Sequence, residues 1–327
     1  ARELGARYSG ESAQTESTPC ALRAPVFAFG PARRAHAFWA PVSLRKRADG
    51  STAVFPHFLM DRGKPGFVAV ARNGRRFVNE TTSYHLFGLA MQDANWTTCA
   101  LRAPAFALGA ARRAHAAAQS IPAYLIADAD AVRKYGIGMV RPGGKGLDAF
   151  VADGYLIAAA TIEALAVKLE IDPAILDETI ARFNTYADSG VDPEFGRGTT
   201  AYQRNLGDAA STGANPSLGP VATAPFYAVR LYPGDIGAAT GLVTDASARV
   251  QDATNAPIAG LYAVGNDMQS VMGDVYTGPG ITLGPGLVFA YLAAASAVIR
   301  ARSDDTATAS TRTNTGAENE RHTAARR

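Results

Sequence analysis

Residues 260–300, GLYAVGNDMQSVMGDVYTGPGITLGPGLVFAYLAAASAVIR, decide how the rest of the chain is read. The apolar run at 261–264, closed by Gly265-Asn266, predicts a short buried strand and a turn. A glycine-rich loop follows, and an apolar helix is expected from about Ile281. Gly278, Gly280, Gly284 and Gly286 stand where the loop becomes that helix. With no side chains in the way, the flat face of another group can lie directly on the backbone. A helix start also offers unpaired N–H groups and a positive dipole end, which suit an electron-rich ligand.

The composition around this stretch is that of a globular chain. Of 327 residues, 47% are hydrophobic and 19% charged, enough apolar material for a substantial core. A net charge of +3, with much of the Arg in two repeated segments and a tail, argues against nucleic acid as a partner. Cys20 and Cys99 form neither a CxxC pair nor a metal-ligand cluster, so a reducing compartment and no metal are expected. The apolar run at 286–299 is too short to span a bilayer. Residues 1–17 have no signal-peptide core. The expectation is a cytoplasmic protein without an integral membrane segment.

Upstream, CALRAPVFAFGPARRAHA at 20–37 recurs as CALRAPAFALGAARRAHA at 99–116. Two copies so far apart do not make a solenoid, and they read as insertions. Residues 67–70 and 76–79 read as two strands around the turn Arg72-Asn73-Gly74, leading to Tyr84 and His85. Residues 121–125 and 226–231 read as further strands, and 135–142 as a glycine-punctuated loop. Two helices are expected: one over 161–170, the other capped by Asp172 with Pro173 in its first turn and ending at Gly190. Residues 192–198 read as a polar loop. After Arg300 the composition turns to Ser, Thr, Asp and Arg without periodicity, predicting a disordered tail over 301–327.

LYAVGN, MGDVYTGPGITLGP and the Ala-rich helix resemble the C-terminal part of the flavoprotein family that holds 3-ketosteroid dehydrogenases and soluble fumarate reductases. FWAPVS, FPHFLMDRGKPGFVAVARNGRRFVNETTSYHLF, VDPEFGRGTTAYQRNLGD and NPSLGPVATAPFYAVRLYPGDIG extend the likeness upstream. It runs from about Phe38 to Ala297, broken by the second repeat, and is nearest to the ketosteroid dehydrogenase branch.

The resemblance implies an α+β catalytic (substrate) domain at 45–237, preceded by an N-terminal remnant at 1–44. Residues 238–300 would be the C-terminal part of an α/β FAD-binding domain, truncated because no strand followed by GxGxxG precedes it. The chain then reads as the second half of a longer protein.

FAD is the implied cofactor, with Gly265, Asn266, Gly280, Thr282 and Leu283 as its contacts. The implied partners are a small hydrophobic, steroid-like ketone and an electron acceptor. Tyr276 and the Gly280 N–H would polarise the substrate carbonyl, and Tyr84 would take the proton. His85 reads as a surface or hydrogen-bonded residue. Thr277 and Pro279 stand where Pro or Ala and a small residue are expected, and Pro279 removes a donor beside the carbonyl position. The loop has neither Arg nor His for a dicarboxylate, so a neutral ketone fits better than fumarate. The alternatives are a fumarate-reductase-like flavoenzyme and an inactive truncated fragment.

Overall fold

The computed structural model describes residues 37–100, 121–273 and 275–324. The two repeat copies fall almost wholly outside them. The described chain forms two compact units, 38–236 and 237–324.

In the larger unit a six-stranded sheet is the spine. Its strands are β1 (Ala37–Lys46), β2 (Thr52–Pro56), β3 (Phe67–Val70), β4 (Ala123–Ala127), β5 (Leu156–Ala159) and β6 (Phe226–Ala238). The order is β2-β1-β6-β4-β3, with β5 also on β6. In β6, Ala228 faces Ile126 of β4 on one edge and Ile157 of β5 on the other, both antiparallel. The helices of this unit are α1 (Tyr84–Ala100), α2 (Ala129–Tyr135), α3 (Leu147–Ala152), α4 (Ile162–Leu169), α5 (Pro173–Ser189) and α6 (Ala201–Leu206).

Successive strand residues point to opposite faces, so β3, β4, β5 and β6 each supply two cores. Phe67, Ala69, Leu125 and Val229 pack with Phe87 and Met91 of α1 and Val132 of α2. Val68, Val70, Ile126 and Ala228 pack with Leu165 and Leu169 of α4 and with Leu176, Ile180 and Phe183 of α5. Side-chain caps hold these helices, the one at Asp172 as expected. Thr161 accepts from the Ala164 N–H at 3.1 Å and Asp172 from the Ala174 N–H at 2.9 Å.

The expected strand at 76–79 does not form. The turn is there, with Ala71 N–H on the Arg75 carbonyl and Gly74 N–H on the Ala71 carbonyl. Beyond it a single bridge joins Val70 and Arg76. The reason is that side chains occupy the edge a partner strand would need. The Ala69 N–H donates to the Glu80 carboxylate at 3.1 Å, and the Phe67 carbonyl accepts from Arg197 at 2.7 Å. The edge of β3 is thereby satisfied without a further strand.

The smaller unit holds the antiparallel pair β7 (Arg249–Gln251) and β8 (Pro257–Tyr262), a 3₁₀ turn at Gly265–Asp267 and the long helix α7 (Leu283–Ala324). Its core is Val250, Ala263 and Met268, flanked by half-buried Leu242, Ile258, Leu261 and Phe289. Two expectations change here. The strand predicted at 261–264 instead spans Pro257–Tyr262, and all of its residues are exposed or half-buried. The tail predicted to be disordered from residue 301 continues α7 to Ala324. That segment lacks proline, and its five Ala and three Arg favour helix. An i,i+4 pair, Arg300 with Asp304, crosses the expected boundary. The added length also makes the 22 residues Leu283–Asp304 long and apolar enough to cross a membrane, which the run at 286–299 was not expected to be.

Candidate active site

In the larger unit, Tyr84 opens α1. Ser83 caps the helix, its hydroxyl accepting from the Leu86 N–H at 3.2 Å and its carbonyl from the Phe87 N–H at 2.9 Å. Tyr84 is buried, with the Phe58 ring 4.6 Å from its own. Burial pushes its phenol above the usual tyrosine range, Tyr202 adds to the rise, and the Arg62 charge draws it down. His85 is buried rather than superficial. Its Nδ1 accepts from the Trp39 N–H at 3.1 Å, and Phe38 packs edge-on at 5.9 Å. A histidine held in this way orients β1 against α1.

The larger unit also holds a buried charge network that sequence reading missed. The Arg76 fork reaches Glu80 at 2.9 Å and Asp192 at 2.8 Å, and Arg197 reaches Glu80 at 3.1 Å. Arg76 also lies over the rings of Phe183 and Phe195, at 5.2 and 4.8 Å. Burial alone would raise the carboxyls of Glu80 and Asp192. Arg76, with Arg197 at Glu80, more than reverses this and holds both below their usual range. The polar loop expected at 192–198 is thus partly a buried clamp. The i,i+4 spacing of Arg76 and Glu80 was the available signal, but nothing in it pointed inward.

A second buried chain runs Asp61–His57–Ser43–Tyr155. His57 Nδ1 is 2.7 Å from Asp61, its Nε2 2.8 Å from the Ser43 hydroxyl, and that hydroxyl 2.7 Å from the Tyr155 OH. The outline is that of a serine–histidine–aspartate relay, but each end is consumed by the backbone. Asp61 accepts from the Gly138 N–H at 2.9 Å, and the Tyr155 OH accepts from the Met139 N–H at 3.0 Å. Ser43 is 1% and His57 0% exposed, too closed for an external acyl group. Burial pushes the Tyr155 phenol up to about 12. The chain ties the 136–140 loop to β1.

The remaining predicted residues, Gly265, Asn266, Tyr276, Gly280, Thr282 and Leu283, belong to the smaller unit. Tyr276 is half-buried, and Asn266 and Leu283 are exposed. Gly280 has φ +98°, which disfavours a side chain, and a Cβ there would meet nothing within 4 Å. Gly265 is brought to the helix start, its Cα lying 3.6 Å from where a Gly286 Cβ would be. The Gly284 N–H closes onto the Gly280 carbonyl at 2.7 Å and the Ile281 N–H onto the Gly278 carbonyl at 3.3 Å. The Thr282 and Leu283 amides have no backbone acceptor among the described residues. Open glycine backbone beside these two helix-start amides fits a flat ring system with an electron-rich edge, as an isoalloxazine has.

The chain matches the FAD binding domain family over residues 17–283. It is 38% identical to the 4-oxocyclohex-2-ene-1-carboxylate 5-dehydrogenase of Sinomonas cyclohexanicum, over 78% of this chain and 40% of that enzyme. It is 35% identical to the 3-oxosteroid 1-dehydrogenase of Mycolicibacterium smegmatis, over 72% of this chain and 39% of that enzyme. Among solved structures it resembles the 3-ketosteroid Δ1-dehydrogenase of Sterolibacterium denitrificans in complex with 1,4-androstadiene-3,17-dione. There the TM-score is 0.68 at 34% identity, covering 80% of this chain and 42% of that one. The chain thus spans about two fifths of the length of these relatives.

Proposed function

This chain belongs to the FAD binding domain family, and on that premise we propose that it carries the substrate side and part of the flavin side of a dehydrogenase acting beside a ring ketone. FAD is the cofactor indicated by the family and by the dehydrogenase relatives. When bound, it supplies the hydride acceptor. In this reading residues 45–237 are the substrate domain and 238–300 complete the flavin domain. The names of both dehydrogenase relatives specify a cyclic oxo compound, which favours a ketone over a dicarboxylate.

The observation that carries the reading is the loop at 275–280, where a half-buried phenol precedes an open glycine at a helix start. Tyr276 and the Gly280 N–H act as donors to the substrate carbonyl and stabilise the enolate that develops on proton loss. Tyr84 accepts that proton. Gly265, Asn266, Thr282 and Leu283 hold the flavin from backbone positions. The substrate class is a hydrophobic cyclic ketone, steroid-like in its larger form, and a separate electron acceptor completes the cycle.

The test begins with FAD incubation, dialysis and a flavin absorbance spectrum of the chain. Turnover of a 3-oxosteroid and of 4-oxocyclohexanecarboxylate follows, with Tyr276→Phe beside wild type. Loss of one donor to a developing oxyanion is expected to lower kcat by about 100-fold. Undiminished turnover by Tyr276→Phe would remove that residue from the reaction. Reduction of fumarate alone would overturn the ketone assignment.

A further inference from the structure

Beneath the first turn of α1, Arg62 is completely excluded from water. Its Nε donates to the His57 carbonyl at 2.9 Å, its Nη2 to the Phe58 carbonyl at 2.8 Å, and its Nη1 to the Glu80 carbonyl. Among the described residues no carboxylate makes a direct ion pair with it. Three backbone carbonyls thus make its direct hydrogen bonds, while Asp61 and Glu80 act on the charge without a direct ion pair.

What lies nearby is Tyr84. Phe58, whose carbonyl accepts from Arg62, lays its ring on Tyr84 at 4.6 Å. The Arg62 guanidinium carbon is also 5.3 Å from the ring of Phe87, one helical turn further along α1. The start of α1 adds its own positive dipole end and has no acidic residue in its first turn to offset it.

We propose that Arg62 is a positioning residue for Tyr84, a buried cation pinned against the start of α1 that favours the deprotonated phenol. The proposal rests on the reading of Tyr84 as proton acceptor: an ordinary tyrosine holds its proton until about pH 10, burial and Tyr202 push this phenol higher still, and Arg62 opposes that rise. Among the described residues, Arg62 and Tyr202 of α6 are charged or titratable groups that act on Tyr84. Arg62 is itself faced by Asp61 and Glu80, which favour its charge, by Tyr202, which does the same when ionised, and by Arg197, which opposes it. Burial lowers Arg62 to about 10, so it stays cationic through neutral pH.

Coupling between two charges is reciprocal, and the experiment reads both ends. The full chain is labelled with ¹³Cζ-tyrosine and ¹³Cζ-arginine, and the Tyr84 and Arg62 resonances are assigned through Tyr84→Phe and Arg62→Lys. The Arg62 resonance should shift as Tyr84 titrates, and that inflection should vanish in Tyr84→Phe, a variant that keeps the ring. Tyr84 should titrate at higher pH in Arg62→Met and return toward the wild-type position in Arg62→Lys. In the FAD-loaded enzyme, Arg62→Met should lose about tenfold in kcat/KM at neutral pH and recover as pH rises.

An Arg62 resonance indifferent to the Tyr84 titration overturns the proposal, whether or not Arg62→Met folds. A folded Arg62→Met with an unmoved Tyr84 does the same. Observed coupling together with full turnover by Tyr84→Phe would uphold the Arg62–Tyr84 link and remove Tyr84 from the reaction, so the two failures are distinct.

Discussion

Phe67, Phe87, Leu125 and Phe183 in the larger unit are wholly excluded from water, while Leu283, Leu287 and Tyr291 on α7 of the smaller unit are 73%, 73% and 76% exposed. The larger unit has helices on both faces of one sheet, so both sets of alternating strand residues find partners inside it. The smaller unit gathers a small core cluster of Val250, Ala263 and Met268 and leaves Leu283, Leu287 and Tyr291 of its long helix exposed. Since burial contributes about 25 cal/mol per Å² of apolar surface, the first is self-stabilised and the second is weakly so. The proposed roles divide along the same line. A proton acceptor needs a rigid, buried electrostatic setting, whereas a flavin contact needs bare backbone.

The largest effect is expected at Glu80. Glu80→Ala takes the carboxylate from buried Arg197, leaves Arg76 to Asp192 and Glu194, and leaves the Ala69 N–H without its acceptor. Breaking such a network costs about 3–5 kcal/mol. Hydrogen exchange should show the loss at 67–70 and 123–127, with 249–262 little changed. Equal loss in both stretches would mean that the units unfold together, and the contrast would fail.

Acid should act next, through the same groups. Glu80 and Asp192 are held below their usual range by the arginines. Their contribution is therefore complete above the unfolded carboxylate values of about 4, and is lost as pH falls through the lower folded values. Thermal melts of the larger unit should fall below about pH 4, and Asp192→Asn should flatten that dependence. A melt that does not respond to acid would show that the ion cluster adds no pH-linked stability.

Gly280→Ala forces a side chain into positive φ and is expected to cost about 1 kcal/mol, confined to the 275–286 loop. Faster exchange there with an unchanged melt of the larger unit would sharpen the contrast. Smallest of all, Leu287→Glu on exposed α7 should alter stability by no more than about 0.5 kcal/mol. It should lower the binding of an apolar dye to the chain. A large loss of stability instead would show that this helix face is already covered.

Much of this was legible beforehand, where the signal is local. The cap at Asp172, the turn at residues 72–74 and the helix that follows the 278–286 glycines are written within a few residues each. The hairpin strand at 76–79 was misread because its pattern is locally acceptable as a strand. What cancels it is Arg197, far along the chain, taking the Phe67 carbonyl while Glu80 takes the Ala69 N–H. The end of α7 was misjudged because a polar composition without periodicity shows which face is solvated better than it shows whether the backbone stays helical.

The sequence by itself determined the family, the cofactor class and the positions of Tyr84, Tyr276 and the glycine-rich helix start, because motifs of contiguous residues carry them. Only the tertiary structure decided which charges are buried. It turned Arg76, Glu80, Asp192 and Arg197 into one ion cluster, closed His57 into a chain with Asp61, Ser43 and Tyr155, and set Arg62 beneath Tyr84. Periodicity reports which face of an element is apolar, but the field at a side chain is summed over groups from distant parts of the chain. That sum exists only once the chain has folded.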